Sequence, residues 1–367
     1  MVEMEHIHYV YWLSCLRGIG RVKRNRLLKL MGSEEEIFNA AGEMLFKAEG
    51  ITGNDVYNIM QGRDKAKVLE DYGIMESKGI KFTYKGHYTY PGRLEGIYNA
   101  PYSLFYKGSL PDNNKKCVAV VGARNVSYQG SVIASKMGRQ LAENGIQVAS
   151  GLARGVDICA QRGTLQIAGG RTFAVMGCGV DICYPKQNIE EYMLIQRSGG
   201  IISEYPPGMP PVAGNFPMRN RIISGLSDGI LVIEAGEKSG SLITAEAGTE
   251  QGKDIFVVPG EIGNKLYYGS NELIKNGAAL VTNIRDIMDA LGMFYDCSEE
   301  GMKKKVDVVL ERTEKIVYAS LSLEPAHITE ISLKTGLGIQ HTMEILTRLE
   351  LKHVAVMAGN NYFALRI

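Results

Sequence analysis

Short apolar segments alternate with helical segments through the middle of the chain, and this alternation restricts the fold more than any other feature. The apolar segments have no polar face, which is typical of strands buried on both sides of a parallel sheet. Seven strands are predicted on this basis, at 118–121, 147–150, 172–176, 201–203, 230–233, 255–258 and 279–281. Helices are predicted between most of them, at 131–144, 158–168, 219–227, 241–251 and 271–276. The pattern therefore predicts a doubly wound, Rossmann-like α/β domain.

The chain is too long for a single ordinary core. Its 367 residues are 45% hydrophobic, which provides apolar material for two or three domains. We expect an N-terminal helical domain at 1–65, the Rossmann-like domain at 66–296 and a C-terminal domain at 297–367. No early segment has the features of a cleaved leader, and no run approaches the ~20 apolar residues that cross a bilayer. A cytoplasmic location without membrane contact is therefore expected.

The composition argues against most cofactor-dependent functions. The six cysteines are scattered without a CxxC pair, and the six histidines are equally dispersed, which predicts reduced thiols and no metal site. The dinucleotide pattern GxGxxG is missing after the first predicted strand, and no GxxxxGK[ST] loop occurs. No cofactor is therefore predicted. The net charge is +1, so a polyanion would need a local binding site.

Glycine and arginine recur in the loops that follow the predicted strands. These loops begin at Gly122, Gly151, Gly177 and Gly236. In a doubly wound sheet, ligands bind beyond the carboxyl ends of the strands, where such loops gather. Glycine permits a close backbone approach, helix starts present unpaired N–H groups, and arginine adds a planar charged fork. The pattern predicts that this edge of the sheet binds phosphate groups.

An aromatic residue lies among cations at the start of one predicted helix. The segment 215–235 reads NFPMRNRIISGLSDGILVIEA, with Phe216, Arg219 and Arg221 near its start. Cations that follow a phosphate backbone, beside a ring that stacks on a base, suit a single-stranded nucleic acid. Arg221 projects to nearly the opposite side of the helix from Arg219, so we expect it to be structural.

Internal roles remain open for several of these residues. Arg124 and Arg219 could form ion pairs with Glu234 or Asp157, and Phe216 could belong to the core. Asp157 lies where a helix begins, and this position favours a capping role over that of a catalytic acid.

The N-terminal region is predicted to be helical and contains a Gly-Ile-Gly turn, Gly18 to Gly20. Such a turn lets backbone amides at a helix start approach a phosphate. The segment resembles a helix-hairpin-helix (or SAM-like) unit, although Arg17 stands where that motif usually has proline. A weaker copy lies at 49–53. Weak DNA contact and a purely structural role are both compatible with the pattern.

A charged segment at 299–305 is predicted to be a linker to the C-terminal domain. Helices at 306–321, 328–335 and 341–351, followed by strands at 354–357 and 362–365, form a winged-helix pattern. The predicted recognition helix mixes His341, Arg348 and Lys352 with Glu344 and Glu350, which is unfavourable for duplex binding. A structural or protein-contact role is favoured.

Several motifs occur in the order found in one protein family. They are GAR at 122–124, SGLARGVD at 150–157, YPKQN at 184–188, FPMRNRIISGLS at 216–227, EAGEKSGSLITA at 234–245 and VPG at 258–260. With these motifs the chain closely resembles DNA-processing protein A (DprA, also called Smf). The resemblance covers nearly the whole chain, and the two outer domains are similar to accessory domains of the family.

The resemblance implies a non-enzymatic protein that binds incoming single-stranded DNA in natural transformation, protects it and loads the RecA recombinase onto it. It also implies a homodimer formed through the Rossmann-like domains. The implied DNA contacts are Gly122, Arg124, Ser150, Gly151, Lys186, Asn188, Phe216, Arg219, Gly240 and Ser241. Ser241 is equally explained as a helix N-cap.

Two other classes of protein compete with this interpretation. A nucleotide phosphoribohydrolase has a similar fold, and Glu234 with Glu246 superficially imitates its acidic residues, but the PGG loop of those enzymes is absent. A winged-helix regulator with a ligand-binding α/β domain would need a more basic recognition helix. The enzyme predicts release of a free base from a nucleotide, whereas the regulator predicts tight duplex binding.

Overall fold

A computed structural model describes residues 3–293, 310–352 and 354–365. The first part is helical, as predicted. Its helices are α1 (His6–Cys15), α2 (Arg21–Met31), α3 (Glu34–Asn39), α4 (Gly42–Leu45), α5 (Gly53–Gln61) and α6 (Lys65–Ser77). Trp12, Leu13, Leu27 and Ile59 are buried among them, so these helices share one apolar core.

A nine-stranded sheet follows. Its strands are β1 (Lys81–Tyr84), β2 (Ser103–Gly108), β3 (Cys117–Gly122), β4 (Gln147–Ser150), β5 (Thr172–Val175), β6 (Gly200–Ser203), β7 (Gly229–Ile233), β8 (Asp254–Val257) and β9 (Ala279–Leu280). The order across the sheet is β1-β2-β6-β5-β4-β3-β7-β8-β9. The run from β6 to β9 is parallel and contains all seven predicted strands. Strands β1 and β2 are antiparallel and were not predicted.

Helices cover both faces of this sheet. They are α7 (Gly92–Glu95), α8 (Tyr128–Glu143), α9 (Val156–Leu165), α10 (Ile189–Ser198), α11 (Asn215–Gly225), α12 (Gly240–Glu250), α13 (Tyr268–Lys275) and α14 (Ile284–Ala290). Alternate residues of β3 point to opposite faces: Ala119 and Val121 pack with α11 and α12, whereas Val118 and Val120 pack with α8 and α9. The predicted doubly wound α/β fold is confirmed.

The topology determines where a ligand site can form. Strand β3 pairs with β4 on one side and with β7 on the other, so the direction of the chain connections reverses between β3 and β7. In sheets of this kind, the carboxyl ends of the strands on both sides of that reversal leave a crevice between their loops.

The C-terminal part contains α15 (Arg312–Ser320), β10 (Ala326–His327), α16 (Ile328–Thr335), α17 (Ile339–Leu351), β11 (Ala355–Gly359) and β12 (Tyr362–Leu365). Its three strands form a separate sheet in the order β10-β12-β11. Val317, Ile331, Leu346 and Phe363 form its core. This order of elements agrees with the winged-helix pattern, and assignment to that fold stays a prediction. The predicted linker at 299–305 lies outside the described residues.

Throughout the described ranges, every helix is too short or too polar to cross a bilayer.

Candidate nucleic-acid interface

The loops that follow β3, β4, β5 and β7 meet at one edge of the sheet, and we call this surface the rim (122–127, 151–155, 176–188 and 234–240, with the start of α11). Backbone hydrogen bonds join these loops. The amide of Ala123 donates to the carbonyl of Glu234 over 2.7 Å, and the amide of Val156 donates to the carbonyl of Ala123 over 3.1 Å. The fold therefore brings the glycine- and arginine-containing loops together at one edge of the sheet, as the sequence predicts.

Arg124 is the exposed arginine of the first rim loop. Its guanidinium carbon lies 6.0 Å from the centroid of the Phe216 ring. Within the part of the chain that the structure describes, no carboxylate forms an ion pair with Arg124, so the suggested pairing with Glu234 or Asp157 does not occur. The charge of Arg124 is available to a phosphate in solution.

The ring of Phe216 is half-buried at the start of α11. It lies beside the ring of Tyr184, with 5.4 Å between the centroids and an angle of 34° between the planes. The backbone of Gly177 also approaches this ring closely, because a Cβ on that residue would lie only 2.9 Å from Cδ1 of Phe216. The rim therefore presents an aromatic pair with one ring held against the backbone.

Tyr184 lies in the candidate site beside Phe216, and the sequence analysis did not single it out. Its side chain is 45% exposed, which is high for a tyrosine in contact with another ring. The sequence signal was its position two residues before Lys186 within YPKQN. Lys186 is exposed at the start of a short 3-10 helix, Lys186–Asn188, and adds a cation two residues after Tyr184.

The side chain of Arg219 lies inside the protein, although the sequence analysis predicts that it is accessible and contacts DNA. Only 4% of the residue is exposed. Its Nη1 donates to the carbonyl of Gly151 over 2.9 Å and also to the carbonyl of Val175, so it joins the ends of β4 and β5. The buried carboxylate of Asp157 balances its charge. Arg219 therefore holds the rim loops together from beneath.

Asp157 is the acidic partner in this buried arrangement. Its Oδ2 accepts a hydrogen bond from the amide of Gly151 over 3.0 Å. Burial raises the pKa of Asp157, while the charge of Arg219 and the backbone donors oppose that shift. A Cβ on Gly151 would lie 2.6 Å from one guanidinium nitrogen of Arg219 and 2.7 Å from Oδ2 of Asp157. The glycine thus leaves room for both side chains. The N-cap of α9 is Gly155, without a side-chain cap hydrogen bond, so Asp157 is not the helix cap that the sequence predicts; its carboxylate bonds to the Gly151 amide instead.

Three other predicted contacts are also turned inward. The Ser150 hydroxyl donates to the carbonyl of Val120 over 2.7 Å, and the Asn188 amide donates to the carbonyl of Leu152 over 2.9 Å. Both side chains are buried, and so is Ser241. The Ser241 hydroxyl lies 2.8 Å from that of Ser239, the N-cap residue of α12, so Ser241 itself is not the N-cap.

The two remaining glycines differ in their surroundings. A Cβ on Gly122 would lie 1.8 Å from the carbonyl oxygen of Ile233, so this glycine permits β3 and β7 to approach at the switch point. Gly240 is exposed, and a Cβ there would meet no atom within 4 Å. Four of the ten predicted contacts are therefore accessible on the rim: Arg124, Lys186, Phe216 and Gly240.

Arg221 has the structural role expected for it. Its guanidinium forms an ion pair of 2.5 Å with Glu204, and both side chains are mostly buried.

Glu234, one of the acids in the rival enzyme interpretation, is fully buried at the end of β7. Its carboxylate accepts hydrogen bonds from the amide and hydroxyl of Ser127 and from the hydroxyl of Tyr267. Its φ of +49° is unusual for a residue with a side chain, and the bonds around it hold this conformation. Glu246 is exposed on α12 and takes no part in this network.

A search of the described ranges finds no group of three or more His, Cys, Asp or Glu side chains that could hold a metal ion.

The topology, the switch point and the rim define a Rossmann-like α/β protein that lacks the dinucleotide-binding glycine pattern. Residues 81–292 match the family model described as DNA recombination-mediator protein A. The chain belongs to this family, and the resemblance to DprA/Smf proteins is confirmed.

Curated relatives include the DNA processing protein DprA of Streptococcus pneumoniae, 46% identical over 199 residues, which are 54% of this chain and 70% of the relative. Protein Smf of Escherichia coli is 36% identical over 284 residues, covering 76% of this chain and 75% of the relative.

Two solved structures are similar as well. The crystal structure of S. pneumoniae DprA has a TM-score of 0.66 and 34% identity, covering 78% of this chain and 98% of that one. A structure of Helicobacter pylori DprA, described as giving insight into a single-stranded DNA binding mode, has a TM-score of 0.51 and 30% identity. It covers 57% of this chain and 95% of that one.

Proposed function

We propose that this chain binds single-stranded DNA along the rim. The observation that carries the proposal is the exposed cation Arg124 beside the half-buried ring of Phe216, which itself lies against Tyr184. A base can stack on such an aromatic pair while the guanidinium contacts the adjacent phosphate. The single-stranded DNA binding described for the H. pylori protein supports this choice of ligand.

The rim favours a single strand over a duplex. Stacking on the ring of Phe216 or Tyr184 requires a base whose face is free, and bases in a duplex are already stacked. The cations of the rim contact phosphates, and its rings contact the faces of bases. Such contacts carry little sequence information, so we expect binding to be independent of base sequence.

The buried residues prepare the rim rather than contact DNA. Arg219, Asp157, Ser150 and Asn188 bond to backbone groups of the rim loops. We propose that they hold the loops in one conformation, so that the strand does not have to order them when it binds.

We propose a role in DNA processing during natural transformation, in which the chain protects the incoming strand and loads RecA onto it in the cytoplasm. The family membership supports this role. A test is whether RecA assembles faster on DNA that carries this protein than on DNA that carries a rim variant. The proposed role is one of binding, without catalysis by the chain itself.

We also propose a homodimer formed through the Rossmann-like domains. Strand β9 is an edge of the sheet, and edge strands offer unpaired backbone groups to a partner. The exposed apolar side chains of Ile262, Tyr268 and Leu280 line a groove beside it. Leu280→Asp is expected to shift the protein to the monomer in light scattering coupled to size-exclusion chromatography; an unchanged mass would exclude this surface.

The decisive test of DNA binding is fluorescence anisotropy with a single-stranded oligonucleotide and the matching duplex. We expect tighter binding to the single strand. In a plot of the logarithm of the association constant against the logarithm of the salt concentration, the slope should be about −0.7 for each phosphate that the protein neutralises. Arg124→Ala and Lys186→Ala should weaken binding. Lys136→Ala, which removes an exposed lysine from α8, is the matched control.

Equal affinity for both forms of DNA, or rim variants that bind like Lys136→Ala, would contradict the proposal. A nucleotide-hydrolysis assay on the same samples tests the phosphoribohydrolase interpretation. Release of free base that is lost in Glu234→Gln would favour that enzyme instead.

A further inference from the structure

A cleft of about 1080 Å³ separates the turn between α1 and α2 from the loop that follows β6. The N-terminal turn from Leu16 to Arg24 forms one wall, and the loop from Glu204 to Pro210 forms the other. Residues of α1 and α6, including Asp71, also line the cleft, as do Lys78 at the end of α6 and Met218 and Arg221 of α11. The cleft therefore lies between the helical region and the sheet, outside the rim.

Cations outnumber carboxylates in this cleft. The lining cations are Arg17, Arg21, Arg24, Lys78 and Arg221, and the lining carboxylates are Asp71 and Glu204. Glu204 pairs with Arg221 at 2.5 Å, and Asp71 lies 3.7 Å from Lys67 on its own helix. The cleft is thus positively charged even after its internal ion pairs are counted.

The individual cations differ in how firmly they are held. Arg24 lies over the ring of Tyr102, 4.4 Å from the centroid, and Arg21 donates to the side chain of Asn99. Arg17 and Lys78 are exposed, and no carboxylate among the described residues pairs with either. Two cations at the mouth of the cleft are therefore available to a ligand.

Two guanidinium groups that line the cleft, those of Arg24 and Arg221, have nitrogen atoms without acceptors. Nε of Arg24 and both Nε and Nη1 of Arg221 are buried without a hydrogen-bond partner in the described part of the chain. Buried donors without acceptors are costly, and native proteins rarely leave them unpaired. Burial also lowers the pKa of Arg24, because the charged form has lost hydration. No carboxylate among the described residues pairs with Arg24, so its charge adds to the positive potential of the cleft.

Helix α2 begins at the cleft and adds backbone donors. Its N-cap residue, Gly20, has no side chain to accept from the first amides, and the first turn contains no acidic residue. Helix starts of this kind attract phosphate through free N–H groups and the helix dipole. The amides of the first turn and the cations thus favour the same type of ligand.

The cleft adjoins the rim. Met218 of α11 lines the cleft, whereas Phe216, two positions earlier and on nearly the opposite side of the same helix, belongs to the rim. The carbonyl of Met209 in the cleft wall accepts a hydrogen bond of 2.9 Å from the amide of Gly179 in a rim loop. The cleft wall is therefore directly hydrogen-bonded to a rim loop.

We propose that this cleft is a second phosphate-binding site, formed by Arg17, Lys78, Arg24 and the start of α2. The phosphate comes either from the backbone of the strand that occupies the rim or from a free nucleotide. Only the first source rests on the proposed function, because a free nucleotide needs no DNA on the rim.

The test compares the full-length double variant Arg17→Gln/Lys78→Gln with Lys29→Gln/Lys136→Gln, which removes two exposed positive charges elsewhere. Anisotropy is measured with oligonucleotides of about 4 and about 16 nucleotides. For the longer one, the cleft variant should bind about three- to tenfold more weakly, with a salt slope smaller by about 1.4 for two lost contacts. The shorter oligonucleotide should bind the cleft variant and the control variant with equal affinity.

Binding of deoxyadenosine monophosphate, followed by calorimetry, tests the second source. If the cleft variant no longer binds this nucleotide but Arg124→Ala still does, the nucleotide binds in the cleft. This conclusion holds even if the rim binds no DNA. The inference is overturned if the cleft variant and the control behave alike with both the long oligonucleotide and the nucleotide. If the cleft variant behaves like the control but Arg124→Ala weakens oligonucleotide binding, the proposal of DNA binding on the rim still holds.

Discussion

The guanidinium of Arg124 and the ring of Phe216 lie 6.0 Å apart on the solvent side of the rim. The guanidinium of Arg219 lies 5.8 Å from the same ring, but Arg219 is only 4% exposed. The ring therefore has as neighbours one arginine that can reach a ligand and one that holds the loops. The two residues have the same charge and should respond differently to mutation.

Loss of the aromatic pair should weaken single-strand binding. Phe216→Ala and Tyr184→Ala each remove a stacking surface, and each should cost about 1–3 kcal/mol of binding free energy. Tyr88→Ala, which removes a tyrosine that is 91% exposed and lies away from the rim loops in sequence, is the control. Anisotropy titrations provide the measurement; affinities equal to that of Tyr88→Ala would show that neither ring stacks on a base.

Gly177→Ala should disturb the Phe216 ring without unfolding the protein. The added Cβ would lie 2.9 Å from Cδ1 of Phe216, and the half-buried ring can turn outward to relieve the contact. We expect weaker single-strand binding and a nearly unchanged melting temperature. Gly73→Ala on α6, where a Cβ meets no atom within 4 Å, should leave binding unchanged. If both variants bind alike, the orientation of the ring does not matter.

Arg219→Ala should destabilise the fold, whereas Arg124→Ala should not. Removal of Arg219 takes away the positive charge that offsets the burial of the Asp157 carboxylate and leaves the Gly151 carbonyl without its Nη1 donor. A buried acceptor left unsatisfied costs about 1–3 kcal/mol. Urea unfolding of both variants measures the difference. Equal free energies of unfolding would mean that Arg219 is not a structural residue.

The stability of the C-terminal part should depend on Glu314 in acid. A hydrogen bond from Lys352 at 2.6 Å and one from the amide of Glu311 at 2.8 Å hold the pKa of Glu314 below its usual value of 4.5. Because the folded pKa is lowered, the stabilisation is complete above about pH 4.5 and is lost as the pH falls through the folded value.

Glu314→Gln should therefore reduce protection of α15 and α17 at neutral pH and flatten its decline in acid. Hydrogen exchange of the amides in these two helices is the appropriate measurement, because it reports on this part of the chain alone. A decline in acid as steep as that of the unmodified protein would assign the pH dependence to other carboxylates.

The parallel strands could be predicted because their signal is local. Each of β3 to β9 is a short apolar run, and β4 begins and ends where the sequence predicts. Strands β1 and β2 were missed. Both form antiparallel pairs, and β2 joins β1 to β6, a strand about a hundred positions further along the chain. The sequence of β2 alone carries no sign of that partner.

The sequence by itself determined the α/β class, the family and the set of loops that form the rim, because apolar periodicity, glycine positions and motif order are properties of contiguous residues. Only the tertiary structure decided which polar residues of the rim face solvent. Arg219 is buried because the carbonyls of Gly151 and Val175, 68 and 44 positions away, accept its hydrogen bonds beside Asp157. Arg124 has no such partners among the described residues and stays in water. Burial of a charge depends on acceptors that folding brings from distant segments, and a local pattern cannot supply that information.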